Sequence, residues 1–447
     1  MKWSRSRSAG FVAVAAASAL FLSACGGDSE DNNTAEPGDD ESTVAEEGEE
    51  ITLTITTFGT FGYEALYEEY MELNPNITIE ATNIDTGGNA RTDTFTKIAA
   101  GSGLTDIVGL EEGWLGAIHE VSENFVDLRD YGIEDRKGDW LDWKYQQATD
   151  PEGRVIGYGT DVGPEGICYR GDLFEAAGLP SDREEVAELL EGDWEHFFDI
   201  GRQYQQATGK AWYDHSGFVW NAMVNQLPEG YYTAEGELNV VDNAELRERW
   251  DVLAAAVADG LSAAQAAWDW NGGQSFVDGT FATFMCPGWM LGVVQGNTEG
   301  GGGDASTGWD FANVFPGGAA NWGGSFLAVS ETSEHKEAAA ALASWLTEPE
   351  QQVKQFEAAG TFPSTIEAAE QLAADATPNE FFNGAPAGAI LAERAQGVVA
   401  QFKGPDDSLI QENVFGPALQ ALDQKTADGN AAWEQALTLL DELVVNG

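Results

Sequence analysis

The amino-acid sequence predicts an α/β fold, and three strand-like segments separated by helical ones carry the prediction. Residues 51–57 and 77–81 alternate apolar and polar side chains, and residues 106–110 are predicted to form a short buried strand. Between them, residues 64–73 and 92–100 have helical spacing of apolar side chains. A β-α-β-α-β order favours a parallel sheet with helices on its faces. Ligands of such sheets bind at the carboxyl ends of strands, here at residues 58–60 and 111–114.

The rest of the chain continues the mixture of helices and strands. Residues 245–258 place Leu246, Trp250 and Leu253 on one helical face, before a stop at Gly260. Two further strands are predicted, at residues 276–285 and 323–329. Helices dominate from residue 331 onward and end in an amphipathic helix at residues 431–444.

The N-terminus reads as a targeting segment. Residues 1–24 combine a basic start with an apolar run that is too short to span a bilayer. The sequence Leu-Ser-Ala-Cys that ends at Cys25 resembles a bacterial lipobox, in which the cysteine carries lipid. A chance cysteine in an ordinary signal peptide is the alternative. Residues 26–50 hold eleven acidic residues and no Lys or Arg, so residues 25–50 are predicted to be a disordered tether.

Composition excludes several classes of protein. The chain carries 76 acidic and 21 basic residues, a formal net charge of −55, so phosphate and anionic lipid repel it. Nucleic-acid binding is therefore not expected, and membrane contact is expected through the lipid alone. Three cysteines exclude a small disulfide scaffold and a multi-cysteine zinc site. The diffuse acidity indicates a solvated surface; a surface for cationic ligands is the alternative.

Five segments in order resemble the family 1 extracellular solute-binding proteins, the sugar receptors of bacterial ABC importers. They are NPNI at 74–77, AAGSGLTDIV at 99–108, CYRGDLFEAAGL at 168–179, FVDGTFA at 276–282 followed by Trp289, and WGGSFLAV at 322–329. Arg170 and the pair Thr280-Phe281 depart from the family pattern. The segments at 160–170 and 286–289 are most similar to those of cellobiose- and oligosaccharide-binding lipoproteins.

The resemblance implies two α/β lobes of the periplasmic-binding-protein type, joined by hinge crossovers around a ligand cleft. The first lobe would hold residues 51–161 and 321–362, and the second 162–320 and 363–447. The protein would be a monomer, anchored by lipid at the extracellular face of the cell membrane. It would close on an oligosaccharide and deliver it to the permease subunits of an importer.

A sugar offers hydroxyl groups and flat C–H faces, so its site needs aromatic rings and a few polar groups. Trp289 matches the family's stacking tryptophan, and burial in a core is the alternative for each aromatic residue. The other aromatic candidates are Trp322, Trp270 in a glycine-flanked loop with Trp268, Phe58 and Phe415. The polar candidates are Asp161, Glu111, Glu112, Asp214 and His215, and for each carboxylate a solvated surface position is an equal alternative.

Two other functions remain open from the sequence. A secreted glycoside hydrolase would need paired carboxylates, but the chain lacks the common zinc-protease, phosphate-loop, nucleophile-elbow and EF-hand motifs. A receptor of the same fold for peptides or polyamines is the second alternative. No metal or cofactor is expected. With Cys25 lipidated, Cys168 and Cys286 are left, either as a disulfide in an oxidising compartment or as two buried thiols.

Overall fold

The computed structural model describes residues 50–374 and 377–446 of the 447-residue chain. The predicted signal 1–24, the lipidation site Cys25 and the tether up to residue 49 lie outside the described residues. Within the described ranges, no helix combines the length and apolar character that crossing a membrane requires.

The described residues form short strands and many helices. The strands are β1 Ile51–Phe58, β2 Ile77–Ile84, β3 Ile107–Glu111, β4 Tyr158–Gly159, β5 Asp161–Val162, β6 Glu165–Arg170, β7 Ala211–Tyr213, β8 Phe281–Pro287, β9 Trp309–Ala312, β10 Ser325–Val329 and β11 Phe362–Pro363. The α-helices are α1 Glu64–Leu73, α2 Gly87–Ala100, α3 Leu115–His119, α4 Asp142–Gln147, α5 Gly171–Ala176, α6 Arg183–Leu190, α7 Trp194–Thr208, α8 Ser216–Asn225, α9 Ala244–Ala258, α10 Gln274–Val277, α11 Met290–Gly300, α12 Lys336–Leu346, α13 Pro349–Ala359, α14 Ile366–Ala374, α15 Ala387–Ala395, α16 Asp407–Leu409, α17 Gly416–Asp423 and α18 Gly429–Leu440. Single 3-10 or π turns fill many of the gaps, as at Glu112–Trp114 and Ile410–Phe415.

Two larger sheets confirm the predicted α/β class. The first has the order β2-β1-β3-β10-β4, with β1 parallel to both β2 and β3 as predicted, and with β10 antiparallel to its neighbours. The second has the order β7-β8-β6-β9 and is mostly antiparallel. Each sheet packs against its own buried apolar clusters, which is the two-lobe arrangement.

The chain passes between the two sheets in a small region of backbone pairing. The two-residue strands β5 and β11 pair with each other, and Pro164 pairs with Asn321. The amide of Thr160 donates a hydrogen bond to the carbonyl of Ser325 at 2.9 Å. The lobe boundaries predicted from the sequence, at 161/162, 320/321 and 362/363, fall in or next to this region and remain a prediction.

Local chemistry explains where the predicted helices begin and end. The Thr86 side chain accepts a hydrogen bond from the amide of Asn89, so α2 begins at Gly87 and not at the predicted residue 92. Gly101 ends that helix with a φ of +65°. Helix α9 matches its prediction: the Asn243 side chain caps it, and its apolar face is buried.

The predicted strand at 276–285 is partly wrong. Phe276 belongs to the single turn of α10, and strand β8 begins only at Phe281. Gly279, with a φ of +64°, separates the two elements. A short apolar run does not distinguish a buried helical turn from a buried strand, and this glycine marks the change.

The second sheet carries a disulfide between Cys168 of β6 and Cys286 of β8, whose Cα atoms are 5.7 Å apart. Both cysteines are fully buried in the apolar cluster that also contains Phe218 and Trp270. The sequence left open a disulfide or two buried thiols, and the structure contains the disulfide.

Candidate ligand-binding site

A tight turn at residues 321–324, just before β10, brings the two leading tryptophan candidates close to the carboxylate candidates. The amide of Trp322 donates to the carbonyl of Gly163 at 2.8 Å, and the amide of Gly163 donates to Asn321 Oδ1 at 2.8 Å. A Cβ at position 163 would lie 1.9 Å from the Trp322 carbonyl oxygen. Only glycine permits this approach, and the two hydrogen bonds hold the backbone of Trp322 against that of Gly163.

Trp289 and Trp322 contact each other directly. Their ring centroids are 5.2 Å apart in an edge-to-face arrangement. Trp289 Nε1 donates to the carbonyl of Trp322 at 2.9 Å. Both side chains are only partly buried, so the pair keeps apolar surface available.

A third tryptophan extends this pair. The Trp268 ring lies 6.3 Å from the Trp289 ring at an interplanar angle of 25°, and 49% of the residue is exposed. Phe218 packs behind, with its ring 4.7 Å from Trp322 and 5.3 Å from Trp268. We call Trp268, Trp289 and Trp322 the aromatic face.

Trp270, Asp214 and His215 support this face from behind, so the prediction that they contact ligand does not fit their burial. Trp270 is 1% exposed, because its ring packs in the apolar cluster and its Nε1 donates to Asp214 Oδ2 at 3.0 Å. His215 Nδ1 accepts from the amide of Gly217 at 3.0 Å, so the neutral ring carries its proton on Nε2. That atom is 3.5 Å from Asp214 Oδ2, and burial raises the pKa of Asp214.

On the other side of the turn lies a group of four charged residues, Glu111, Glu112, Lys144 and Asp161, which we call the charged junction. Glu112 Oε2 accepts from Asn321 Nδ2 at 2.9 Å, and Asp161 Oδ1 accepts from Thr160 Oγ1 at 2.6 Å. Glu112 and Asp161 are 6% and 5% exposed, whereas Glu111 is half-buried.

Lys144 is the member of the charged junction that the sequence did not indicate. It is fully buried, and its Nζ lies 3.8 Å above the centroid of the Phe326 ring. Nζ has no hydrogen-bond partner among the residues that the structure describes. The sequence does not distinguish Lys144 from the other lysines. Only the fold places it beside three of the 76 acidic residues.

Burial dominates the electrostatics of the charged junction. It lowers the pKa of Lys144 to about 8, although Glu112, Asp161 and Glu111 oppose this shift. It raises the pKa of Glu111 to about 7 and also raises the pKa values of Glu112 and Asp161, which Lys144 partly offsets. Because the four groups lie close together, the charge state of each one affects the pKa values of the others.

The aromatic face and the charged junction meet at Gly323. A Cβ at this position would lie 3.5 Å from Trp289 Nε1 and 3.9 Å from Glu111 Oε1. Phe58 is close to the same carboxylate: a Cβ on Gly87 would lie 3.8 Å from the Phe58 ring and 3.9 Å from Glu111 Cγ. Phe58 and Glu111 end β1 and β3, the strand ends that the sequence indicated.

Phe415 does not belong to this site, so its prediction is wrong. It is fully buried in the core of the second sheet, with its ring 5.0 Å from Trp220 and 5.4 Å from Tyr231. A π turn at Ile410–Phe415 directs the side chain inward. Burial in a core, which was the alternative for each aromatic candidate, is what the structure shows for Phe415.

In the part of the chain that the structure describes, no group of three or more His, Cys, Asp or Glu is arranged to hold a metal ion. What the site offers is aromatic surface, carboxylates and hydrogen-bonding groups. Such a combination of groups is suited to a polar ligand that has apolar faces.

The chain is similar to known binding proteins over most of its folded part. The family model of the bacterial extracellular solute-binding proteins matches residues 65–383. A crystal structure of an extracellular solute-binding protein of family 1 is 44% identical, with a TM-score of 0.78 over 88% of this chain and 99% of that one. A binding protein of an ABC transporter from B. animalis subsp. lactis, in complex with beta-1,6-galactobiose, is 18% identical, with a TM-score of 0.73 over 88% and 98% of the two chains.

A curated relative, the lactose-binding protein of Rhizobium radiobacter, is 27% identical over 284 residues. The match covers 61% of this chain and 64% of that protein, so it spans a little under two thirds of the relative. These similarities are to solute-binding proteins and not to enzymes. From the family match, the two-lobe fold and the 44% identical structure, the chain belongs to the bacterial extracellular solute-binding protein family.

Proposed function

We propose that the protein captures a short oligosaccharide outside the cytoplasm and delivers it to an ABC importer. Cellobiose or a related gluco-oligosaccharide is the favoured ligand. The observation that carries the proposal is the meeting of the aromatic face with Glu111 at Gly323. A sugar ring stacks its C–H face on an indole, and its hydroxyl groups bond to carboxylate and amide groups beside it.

Two relatives support a sugar over another solute. One is named as a lactose-binding protein, and one solved structure of the same fold holds a galactobiose. Both name disaccharides, but with different sugars, so they favour the ligand class without selecting its member. The preference for glucose units rests on the sequence resemblance of residues 160–170 and 286–289 to cellobiose- and oligosaccharide-binding lipoproteins.

Calorimetric titration of the folded body, residues 50–447, with a ligand panel tests the proposal. The panel contains cellobiose, lactose, maltose, a galactobiose and longer gluco-oligosaccharides, with a polyamine and a short peptide as the non-sugar set. We expect saturable binding of at least one sugar and none of the non-sugars. Binding of the polyamine or the peptide with no response to any sugar would contradict the proposal and favour a non-sugar receptor.

The proposed location follows from the N-terminal sequence and the family. Lipid on Cys25 would hold the body at the extracellular face of the cell membrane, and the acidic residues 26–50 would keep it away from the surface. In that position a monomeric body could reach both free sugar and the permease subunits.

The variant Cys25→Ala tests the anchor. We expect the body to appear in the culture medium, or an unprocessed precursor to accumulate, because the lipidated thiol is missing. The readout is fractionation of cells into medium, membrane and cytoplasm, with the unchanged protein as the reference. Detergent-extractable membrane association equal to that of the unchanged protein would count against lipidation at Cys25.

A further inference from the structure

The segment that carries Trp268 has an unusual backbone. Four residues other than glycine have positive φ within eight positions: Ala264 at 52°, Trp268 at 65°, Trp270 at 39° and Asn271 at 58°. This conformation is unfavourable for side chains as bulky as indole and persists only where surrounding contacts impose it. Such strain concentrates at ligand clamps and other functional positions.

Hydrogen bonds from both sides hold the segment in place. The amide of Ala263 donates to the carbonyl of Tyr213 at 2.9 Å, and the amide of Gln265 donates to the carbonyl of Asp214 at 3.1 Å. Ser275 Oγ donates to Gln265 Oε1 at 2.6 Å. The buried bond from Trp270 Nε1 to Asp214 completes the attachment. Trp270 therefore anchors the segment.

What the anchored segment presents is the indole of Trp268. Its exposed fraction of 49% contrasts with 1% for Trp270, two positions away. Exposing a large aromatic side chain in this way forgoes burial that would stabilise the fold. The ring is nearly parallel to Trp289 and rests on Phe218, so its position relative to the rest of the aromatic face is fixed.

We propose that Trp268 contacts the ligand and forms an outer sugar subsite beside Trp289. This inference rests on the proposed function. Trp289 and Trp322 provide two aromatic rings at the turn, which suits a disaccharide, and Trp268 adds a third, more exposed ring beside Trp289. The protein therefore binds oligosaccharides of three or more units more tightly than the disaccharide of the same series.

The experiment compares affinities across ligand length. Wild type, Trp268→Ala, Trp268→Phe and the control Leu73→Ala are titrated with the di-, tri- and tetrasaccharide of the best-bound series. Leu73 is 63% exposed at the end of α1, within the first sheet's lobe. Melting temperatures of the ligand-free proteins show that each variant folds, and Trp268→Phe keeps a flat ring at the strained position.

We expect Trp268→Ala to weaken binding of the tri- and tetrasaccharide by about tenfold and of the disaccharide by less than about twofold. Trp268→Phe keeps a flat but smaller ring, so it should lose less affinity for the tri- and tetrasaccharide than Trp268→Ala does. Leu73→Ala should stay close to wild type at every length. An equal loss at all lengths, no loss, or tighter binding by Trp268→Ala would overturn the outer subsite, as would equal affinity of wild type for all three lengths. If wild type binds no sugar, the proposed function itself fails, and this result is distinct from the others.

Discussion

The aromatic face and the charged junction meet at one turn but differ in how much of their side-chain surface is exposed. The aromatic face leaves surface uncovered: Trp268 is half exposed, and Trp289 and Trp322 are only partly buried. The charged junction hides its charges, since Lys144 is fully buried and Glu112 and Asp161 are nearly so. Its carboxylates bond to Asn321 and Thr160 of the chain itself.

This difference in exposure suggests a ligand-binding role for the aromatic face and a structural role for the charged junction. Open apolar surface at a turn contributes little to folding and is available to a ligand. Buried charges that bond within the protein fix the geometry of the crossovers, and disturbing one leaves the others uncompensated. Residue type alone therefore does not separate a proposed ligand contact from a structural residue, and exposure at the turn is the property in which the two regions differ. Glu111, half-buried, is the one carboxylate of the junction positioned to serve both purposes.

The largest expected effect comes from the disulfide behind the aromatic face. Cys168 and Cys286 are 118 positions apart, so the bridge restricts a long loop in the unfolded chain. We expect Cys168→Ala/Cys286→Ala to lower the free energy of unfolding by about 4–5 kcal/mol on the chain-entropy account. Urea unfolding of the variant and of the oxidised wild type measures this difference. Alkylation of both thiols in denatured, unreduced wild type would show that the bridge does not form.

Removing the buried cation tests the structural role of the charged junction. Lys144→Met removes the strongest positive partner of Glu112 and Asp161 and leaves Lys403 as the other cation near Glu112. We expect it to lower the free energy of unfolding by up to about 3–5 kcal/mol. Adding Glu112→Gln to this variant should restore part of the loss, because one uncompensated carboxylate disappears. Urea unfolding of the single and double variants checks both statements. Unchanged stability in Lys144→Met would mean that the junction does not hold the crossovers.

The smallest effect concerns Glu111 and pH. Burial raises its pKa from 4.5 to about 7, so the folded state holds this proton more tightly than the unfolded chain. The associated stabilisation is complete below pH 4.5 and is lost as the pH rises towards 7. Since the side chain is half-buried and partly screened, we expect a loss of about 1 kcal/mol over this range.

Glu111→Gln should remove that part of the pH dependence, because the amide does not titrate. Unfolding free energies at several pH values between 4.5 and 7.5, for wild type and variant, give the difference in slope. Glu64→Gln, at an exposed position of α1, is the charge-matched control and should keep the wild-type slope. Parallel curves for wild type and Glu111→Gln would contradict the assigned shift.

The sequence predicted the fold class because periodic signals are local. The alternation in residues 51–57 and the helical spacing in residues 64–73 predicted β1 and α1, and the structure has both elements there. The predicted strand at 276–285 failed where one glycine converts an apolar run into a helical turn followed by a strand.

The site was predicted less completely because exposure depends on the tertiary structure. Trp289 lies just after β8 and Trp322 just before β10, and the sequence indicated both tryptophans through the family resemblance. Trp268 and Trp270 share one loop, and only a buried partner, Asp214, makes one of them the anchor and leaves the other exposed. Phe415 and Phe58 were both aromatic candidates in the sequence, but the side chain of Phe415 is buried in the core from its π turn.

The central claim is that the aromatic face binds the ligand, and a matched pair of variants tests it most directly. Trp289→Ala removes a partly exposed ring at the turn, whereas Phe415→Ala removes a ring from the core; Phe415→Leu replaces the latter if it does not fold. Calorimetric affinity for the best-bound oligosaccharide and the free energy of unfolding without ligand are measured for both.

We expect Trp289→Ala to lose about 2–4 kcal/mol of binding free energy, roughly 30- to 1000-fold in affinity, with stability nearly unchanged. Phe415→Ala should lose about 3–5 kcal/mol of stability and, while folded, keep its affinity. Unchanged affinity in Trp289→Ala together with a large loss of stability would contradict the account, because Trp289 would then be a core residue like Phe415.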